Sequence, residues 1–212
     1  MIVGGQFSPE TDQALWQSWL SDNGMLAEGE QVYFLADCSL SLDVAPRYDQ
    51  LNEFLANPEN NLTDIKLIGH SEGAATVGQC AADYINSSGN LSAETRAMLE
   101  KQLKAVFLLE CPTGAGTSLG LKNFNASNLA GVGKSLGETG IKAANIYNSN
   151  SLVDRDHLQG WRNVDVGTWY DRVGALSMSA CGPLAFAASS FYFYHQLVRT
   201  ESLSEIKAIL NS

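Results

Sequence analysis

Short apolar runs alternate with helical patterns along almost the whole of this 212-residue chain, and that alternation restricts the fold more than any other feature. The runs are Met1–Gly4, Gln31–Ala36, Asp64–Gly69, Lys104–Leu109 and Ile141–Tyr147, with Asn163–Gly167 as a weaker one. Pro9–Leu20 sets Leu15, Trp16, Trp19 and Leu20 on one helical face, with Ser8 as cap and Pro9 in the first turn. Pro46–Ala56 carries Tyr48, Leu51, Phe54 and Leu55. Ser71–Ser87 and Ser92–Gln102 follow, and Leu184–Leu197 and Ser202–Leu210 close the chain. A β-α-β-α order predicts an α/β fold, a three-layer α/β/α sandwich with a mostly parallel central sheet. The runs are continuous rather than alternating, as strands covered on both faces require. Functional residues are then expected at the carboxyl ends of the strands.

The third run leads directly into Gly69-His70-Ser71-Glu72-Gly73, and the small-residue helix Ala74–Ala82 follows it. Strand, G-x-S-x-G and helix in that order form the context of a nucleophile elbow. The turn is sharp enough to strain the serine backbone. Glycines two residues to either side keep Cβ atoms away from strand and helix. The helix N-terminus offers free N–H groups and a positive dipole end to a developing oxyanion. Ser71 is therefore a candidate nucleophile. A simpler reading makes it only the side-chain cap of the helix.

Composition removes several classes. A net charge of −10, with no Lys/Arg cluster, argues against nucleic acid or an anionic membrane surface as a partner. Cys38, Cys80, Cys111 and Cys181 show no metal-ligand spacing, so no metal site is expected and free thiols are the default. Val173–Val198 lacks charged residues, but its Ser, Gly, Pro and His content favours a buried helix pair or cleft wall over an integral membrane span. The start of the chain shows no secretory signal, which points to the cytoplasm, or to export if a leader has been removed. Residues 1–212 read as one domain. Residues 113–140, with seven glycines, read as a long loop containing one short helix near Asn128–Leu136, and so as a lid or cleft wall. Gly131-Val132-Gly133-Lys134-Ser135 ends like a phosphate-binding loop, yet no strand precedes it.

Element order and the elbow together resemble the α/β-hydrolases, in particular small lipase-, cutinase- and esterase-like members. The chain would start at the strand that family counts third, a minimal form of the fold. The resemblance is sharp in sequence only around Ser71. It implies an oxyanion hole from the backbone N–H of Glu72 and one from the loop Gly4-Gly5-Gln6-Phe7, with Gln6 as the candidate. It implies a general base, for which His195 ranks above His157; His70 belongs to the elbow. The family's acid position aligns with Ser151, a departure from its pattern. Asp154 in the same loop ranks first as a replacement, Glu110 second and Asp156 third. The implied activity is hydrolysis of a carboxylic or lipid ester through an acyl-enzyme, which needs no metal or organic cofactor. The rival is a hydrolase-fold protein without catalysis that binds a ligand or partner, favoured by the serine at position 151.

Overall fold

A computed structural model describes residues 1–5, 10–36, 43–87, 90–113, 121–151, 157–168 and 195–212. Six parallel strands form one sheet: β1 (Ile2–Val3), β2 (Phe34–Leu35), β3 (Ile65–His70), β4 (Leu103–Leu109), β5 (Lys142–Tyr147) and β6 (Arg162–Asp165). Their spatial order is β2-β1-β3-β4-β5-β6. The described helices are α1 (Asp12–Asp22), α2 (Ala45–Ala56), α3 (Glu72–Asn86), α4 (Ala93–Gln102), α5 (Val132–Glu138) and α6 (His195–Leu210). The α/β/α sandwich expected from the alternation is the observed architecture.

Strand side chains alternate between two covered faces, and β4 shows this most clearly. Val106 and Leu108 join one core with Leu51 and Leu55 of α2, Val77 of α3, Leu99 of α4 and Leu136 of α5. Phe107 and Leu109 join the other with Trp16 and Leu20 of α1 and Val198 and Ile206 of α6. Four consecutive fully buried residues explain why the run looked continuous. Arg199 of α6 clamps this second layer. Its guanidinium lies 2.9 Å from Asp12 of α1 and 5.1 Å from the Trp19 ring centre.

Some local expectations shift. α1 begins at Asp12, after a Thr11 whose side chain makes no cap hydrogen bond; Ser8 and Pro9 lie outside the described residues. Only Trp16 and Leu20 of its apolar stripe are buried. Leu15 is 45% exposed, away from the side on which Trp16, Leu20 and the partly buried Trp19 meet the second core. Ser92 caps α4 as expected, accepting from the Thr95 N–H. The single helix expected near Asn128–Leu136 is instead a 3-10 turn, Ala126–Leu129, followed by α5. Gly131 parts them at φ +79°, with its N–H donating to the Gln159 carbonyl at 2.8 Å. Residues 121–140 are thus mostly structured rather than loop; 114–120 lie outside the described residues. Ser202–Leu210 is the end of one continuous helix from His195. Among the described residues no helix is long and apolar enough to cross a membrane; most of Val173–Val198 falls outside them.

The topology reverses direction once. The chain passes from β1 outward to β2, then returns to the far side of β1 to form β3. In an open parallel sheet a crevice opens at the carboxyl ends of the strands on either side of such a reversal. Here those ends carry Gly4-Gly5 and Ser71.

The two-sided burial of β4 sets a stability expectation. Phe107→Ala should cost about 3–5 kcal/mol in urea unfolding, whereas Leu15→Gln on the exposed side of α1 should stay within about 0.5 kcal/mol. Equal effects would contradict the packing described.

Candidate active site

Ser71 stands alone between β3 and α3, with φ +57° and ψ −124°. An L-residue reaches this region only under strain that its surroundings impose. Its N–H donates to the Leu109 carbonyl at 2.8 Å, extending the β3–β4 ladder by one residue. Its carbonyl accepts from Ala74 and Ala75, which starts the helix. The side chain makes no capping hydrogen bond. The cap reading of this serine therefore fails, and the hydroxyl of this partly exposed residue is not spent on closing the helix.

The flanking glycines have separate steric reasons. A Cβ on Gly69 would lie 2.5 Å from Ala74 Cα. A Cβ on Gly73 would lie 2.5 Å from the Gly4 carbonyl oxygen and would overlap that of Val3. The first turn of α3 is thus pressed against the end of β1. Gly5 completes the approach, since its own Cβ would stand 2.7 Å from Ser71 Cβ and 3.3 Å from Oγ. The loop after β1 consequently lies directly beside the serine. The N–H groups of Glu72 and Gly73, at the start of a 15-residue helix, have no intrahelical acceptor.

Buried charge surrounds the elbow. His70 is 2% exposed and Glu72 is 4% exposed. Burial pushes the Glu72 carboxyl above the usual carboxylate range; the positive charge of Arg47 opposes this and the negative charge of Asp43 adds to it. Glu72 Oε2 has no hydrogen-bond partner among the described residues. Arg47, from the first turn of α2, is also buried at 4% exposure, and its guanidinium donates to the Gly4 carbonyl. Nothing in the sequence reading singled out Arg47. The available signal was a cation in a helix's first turn, where the dipole disfavours it.

The acid and base candidates divide. Glu110 directly follows β4, is fully buried and has φ +51°. Its N–H donates to the Ile146 carbonyl at 2.9 Å, and Oε1 accepts from the Asn148 N–H at 2.6 Å. It therefore sits between the ends of β4 and β5, next to the strand that carries Ser71. Ser151 is fully buried, with its N–H on the Asn148 carbonyl. Asp154, Asp156 and Gln6 lie outside the described residues. His157 is exposed, its ring 5.7 Å from that of Tyr147, the last residue of β5 and two strands from β3.

His195 is the first residue of α6, and the backbone tells where that end lies. Lys142, which opens β5, donates to the Leu210 carbonyl at 2.7 Å, so the end of α6 lies at the amino edge of the sheet. Arg199, one turn into α6, pairs with Asp12, which opens α1. The helix therefore runs against the strands and begins at the carboxyl edge, the edge that carries Ser71.

Other candidates resolve into packing. Within Gly131–Ser135, a Cβ on Gly133 would stand 2.7 Å from the Trp161 ring, so that glycine makes room for an indole. Cys80 and Cys111 are buried, and burial pushes the Cys80 thiol up to about 12. Among the described residues no cluster of His, Cys, Asp and Glu could hold a metal. A scan of protein-family models finds none that matches this sequence, and a search of curated proteins finds no similar one.

Two outcomes test this geometry. Gly73→Ala should cost about 3 kcal/mol or more, because backbone oxygens cannot step aside. Gly137→Ala, in α5 with nothing within 4 Å, should instead stabilise by about 0.5–1 kcal/mol. Unfolding curves of the two variants decide it. The second outcome concerns Glu72. A carboxyl with a raised native pKa holds its proton more tightly when folded, so its contribution to stability is present at low pH and is lost as pH rises through the raised value. The Tm gain of Glu72→Gln over the parent should be larger at pH 7 than at pH 4. An equal gain at both would contradict the buried-carboxyl picture.

Proposed function

We propose that this protein is a serine hydrolase of the α/β-hydrolase type, cleaving a carboxylic or lipid ester through an acyl-enzyme on Ser71. One observation carries the reading: a non-glycine residue held at φ +57° between strand and helix, its hydroxyl left out of the cap, with two glycines excluded from bearing a Cβ by backbone contact. The strand order alone would not suffice, since a reversal beside the first strand serves many nucleotide- and flavin-binding sheets. A strained serine at that reversal is what a nucleophile requires.

In this reading His195 takes the Ser71 proton while Oγ attacks the ester carbonyl. The tetrahedral oxyanion rests on the N–H groups of Glu72 and Gln6, each worth about 3–4 kcal/mol to the barrier. The carbonyl reforms, the alcohol leaves with the proton from the imidazole, and water activated by the same ring releases the acid. Glu110 supplies the carboxylate that holds the imidazolium. Its support is complete burial at a strained φ beside the nucleophile's strand, with one oxygen already held by Asn148. Asp154 is the competing carboxylate.

Covalent capture by a fluorophosphonate tests the function. Labelling at Ser71, abolished in Ser71→Ala, is the expected result. Folded protein that resists labelling from pH 6 to 9 would point to the second reading, a binding protein without catalysis, which the buried Ser151 favours because the resemblance places an aspartate there. For the acid, Glu110→Gln should lower kcat by about 100-fold or more and Asp154→Asn by far less. The reverse order moves the role to Asp154.

A further inference from the structure

We infer that Arg47 is a positioning residue for the oxyanion-binding loop: its guanidinium holds the Gly4 carbonyl and thereby fixes how the chain passes from β1 over Ser71. The inference rests on the hydrolase reading of that site.

The placement of Arg47 is costly in two ways. It lies in the first turn of α2, where the helix end is itself positive. It is also 4% exposed, and a buried cation needs strong partners. Its interactions include a bond to the Gly4 carbonyl and the electrostatic attraction of the Glu72 carboxyl across the elbow. Both of these interactions reach the surroundings of Ser71 from the helix that carries Arg47.

The Gly4 carbonyl is confined on a second side. Its oxygen lies where a Cβ on Gly73 would come within 2.5 Å, so the first turn of α3 and the guanidinium grip it together. A peptide unit is planar and trans, with C=O and N–H pointing in opposite directions. Fixing the Gly4 oxygen fixes the Gly5 N–H and the plane from which the next residue departs. The need is acute here, because two successive glycines form the softest backbone a chain can have. Gly5 stands against Ser71 Cβ. A rotation of the Gly4–Gly5 peptide would move every N–H that follows relative to Oγ. Donors aimed in advance are what an oxyanion hole contributes, and donors that must reorient lose that contribution.

The test begins with wild-type protein and the fluorophosphonate. Wild-type chain that does not react sinks the hydrolase reading and this inference with it. Given a reactive wild type, Arg47→Ala should remain folded by circular dichroism yet label at Ser71 about tenfold more slowly or worse. With a p-nitrophenyl ester, kcat should fall by the same factor while KM stays within about threefold, since the loop acts on the transition state. Millimolar ethylguanidinium should restore part of the rate to Arg47→Ala and do nothing for wild type. A purely structural arginine would lower Tm without moving the labelling rate; that result overturns the inference and leaves the hydrolase reading standing. Should Arg47→Ala fail to fold, Arg47→Lys takes its place, since an ammonium keeps the charge but lacks the fork. At least a threefold slower labelling at unchanged Tm is expected, and a wild-type rate overturns the inference.

Discussion

Close approach of three backbones around Ser71 is the constraint on which the rest of this structure depends. The end of β1, the end of β3 and the first turn of α3 meet where two Cβ atoms would otherwise stand. Without side chains at Gly69 and Gly73, α3 can begin directly on top of the β1 carbonyls, and the one residue between strand and helix is forced to positive φ. The strain at Ser71 is held in place by bonds on both sides. Its N–H completes the β3–β4 ladder and its carbonyl starts the helix. Neither can relax without loss of the other, which is how a sparsely populated backbone conformation persists.

Around that junction the chain concentrates buried polar groups that a mere scaffold would avoid. Arg47, His70, Glu72 and Glu110 are all nearly inaccessible, in a protein whose charged residues make up only 17% of the sequence. Three of them come from the ends of β3 and β4 or the start of α3, and the fourth crosses from α2. Buried ionisable groups need partners, and backbone groups are among them here: the Gly4 carbonyl for Arg47 and the Asn148 N–H for Glu110. Such an arrangement ties the electrostatics of the site to its loop conformations, so a change in one is felt by the other.

The fold was readable because its signals are local. Val106-Phe107-Leu108-Leu109 had to be covered on both faces, and the helical spacing of Leu51 and Leu55 had to face a sheet. Departures came where tertiary contact outweighed pattern. Leu15 belongs to an apolar stripe, yet α1 meets the second core through Trp16, Leu20 and the partly buried Trp19, and Leu15 stays exposed. A helical pattern near Asn128–Leu136 is broken at Gly131, because Gln159 claims its N–H and Trp161 occupies the space over Gly133. Arg47 carried no motif, since its role depends on a carbonyl 43 positions away in the chain.

From its own letters the chain determined the order of strands and helices and the serine on which the proposed chemistry turns, because hydrophobic period and glycine spacing act over a few residues. Only the packed molecule decided that β3 lies on the opposite side of β1 from β2, that Gly5 stands against Ser71, and that Glu110 is enclosed between two strand ends. It also decided that α6 starts at the edge of the sheet where Ser71 sits. Those relations join residues dozens of positions apart, and they exist only once apolar surfaces on both sides of the sheet have been buried together.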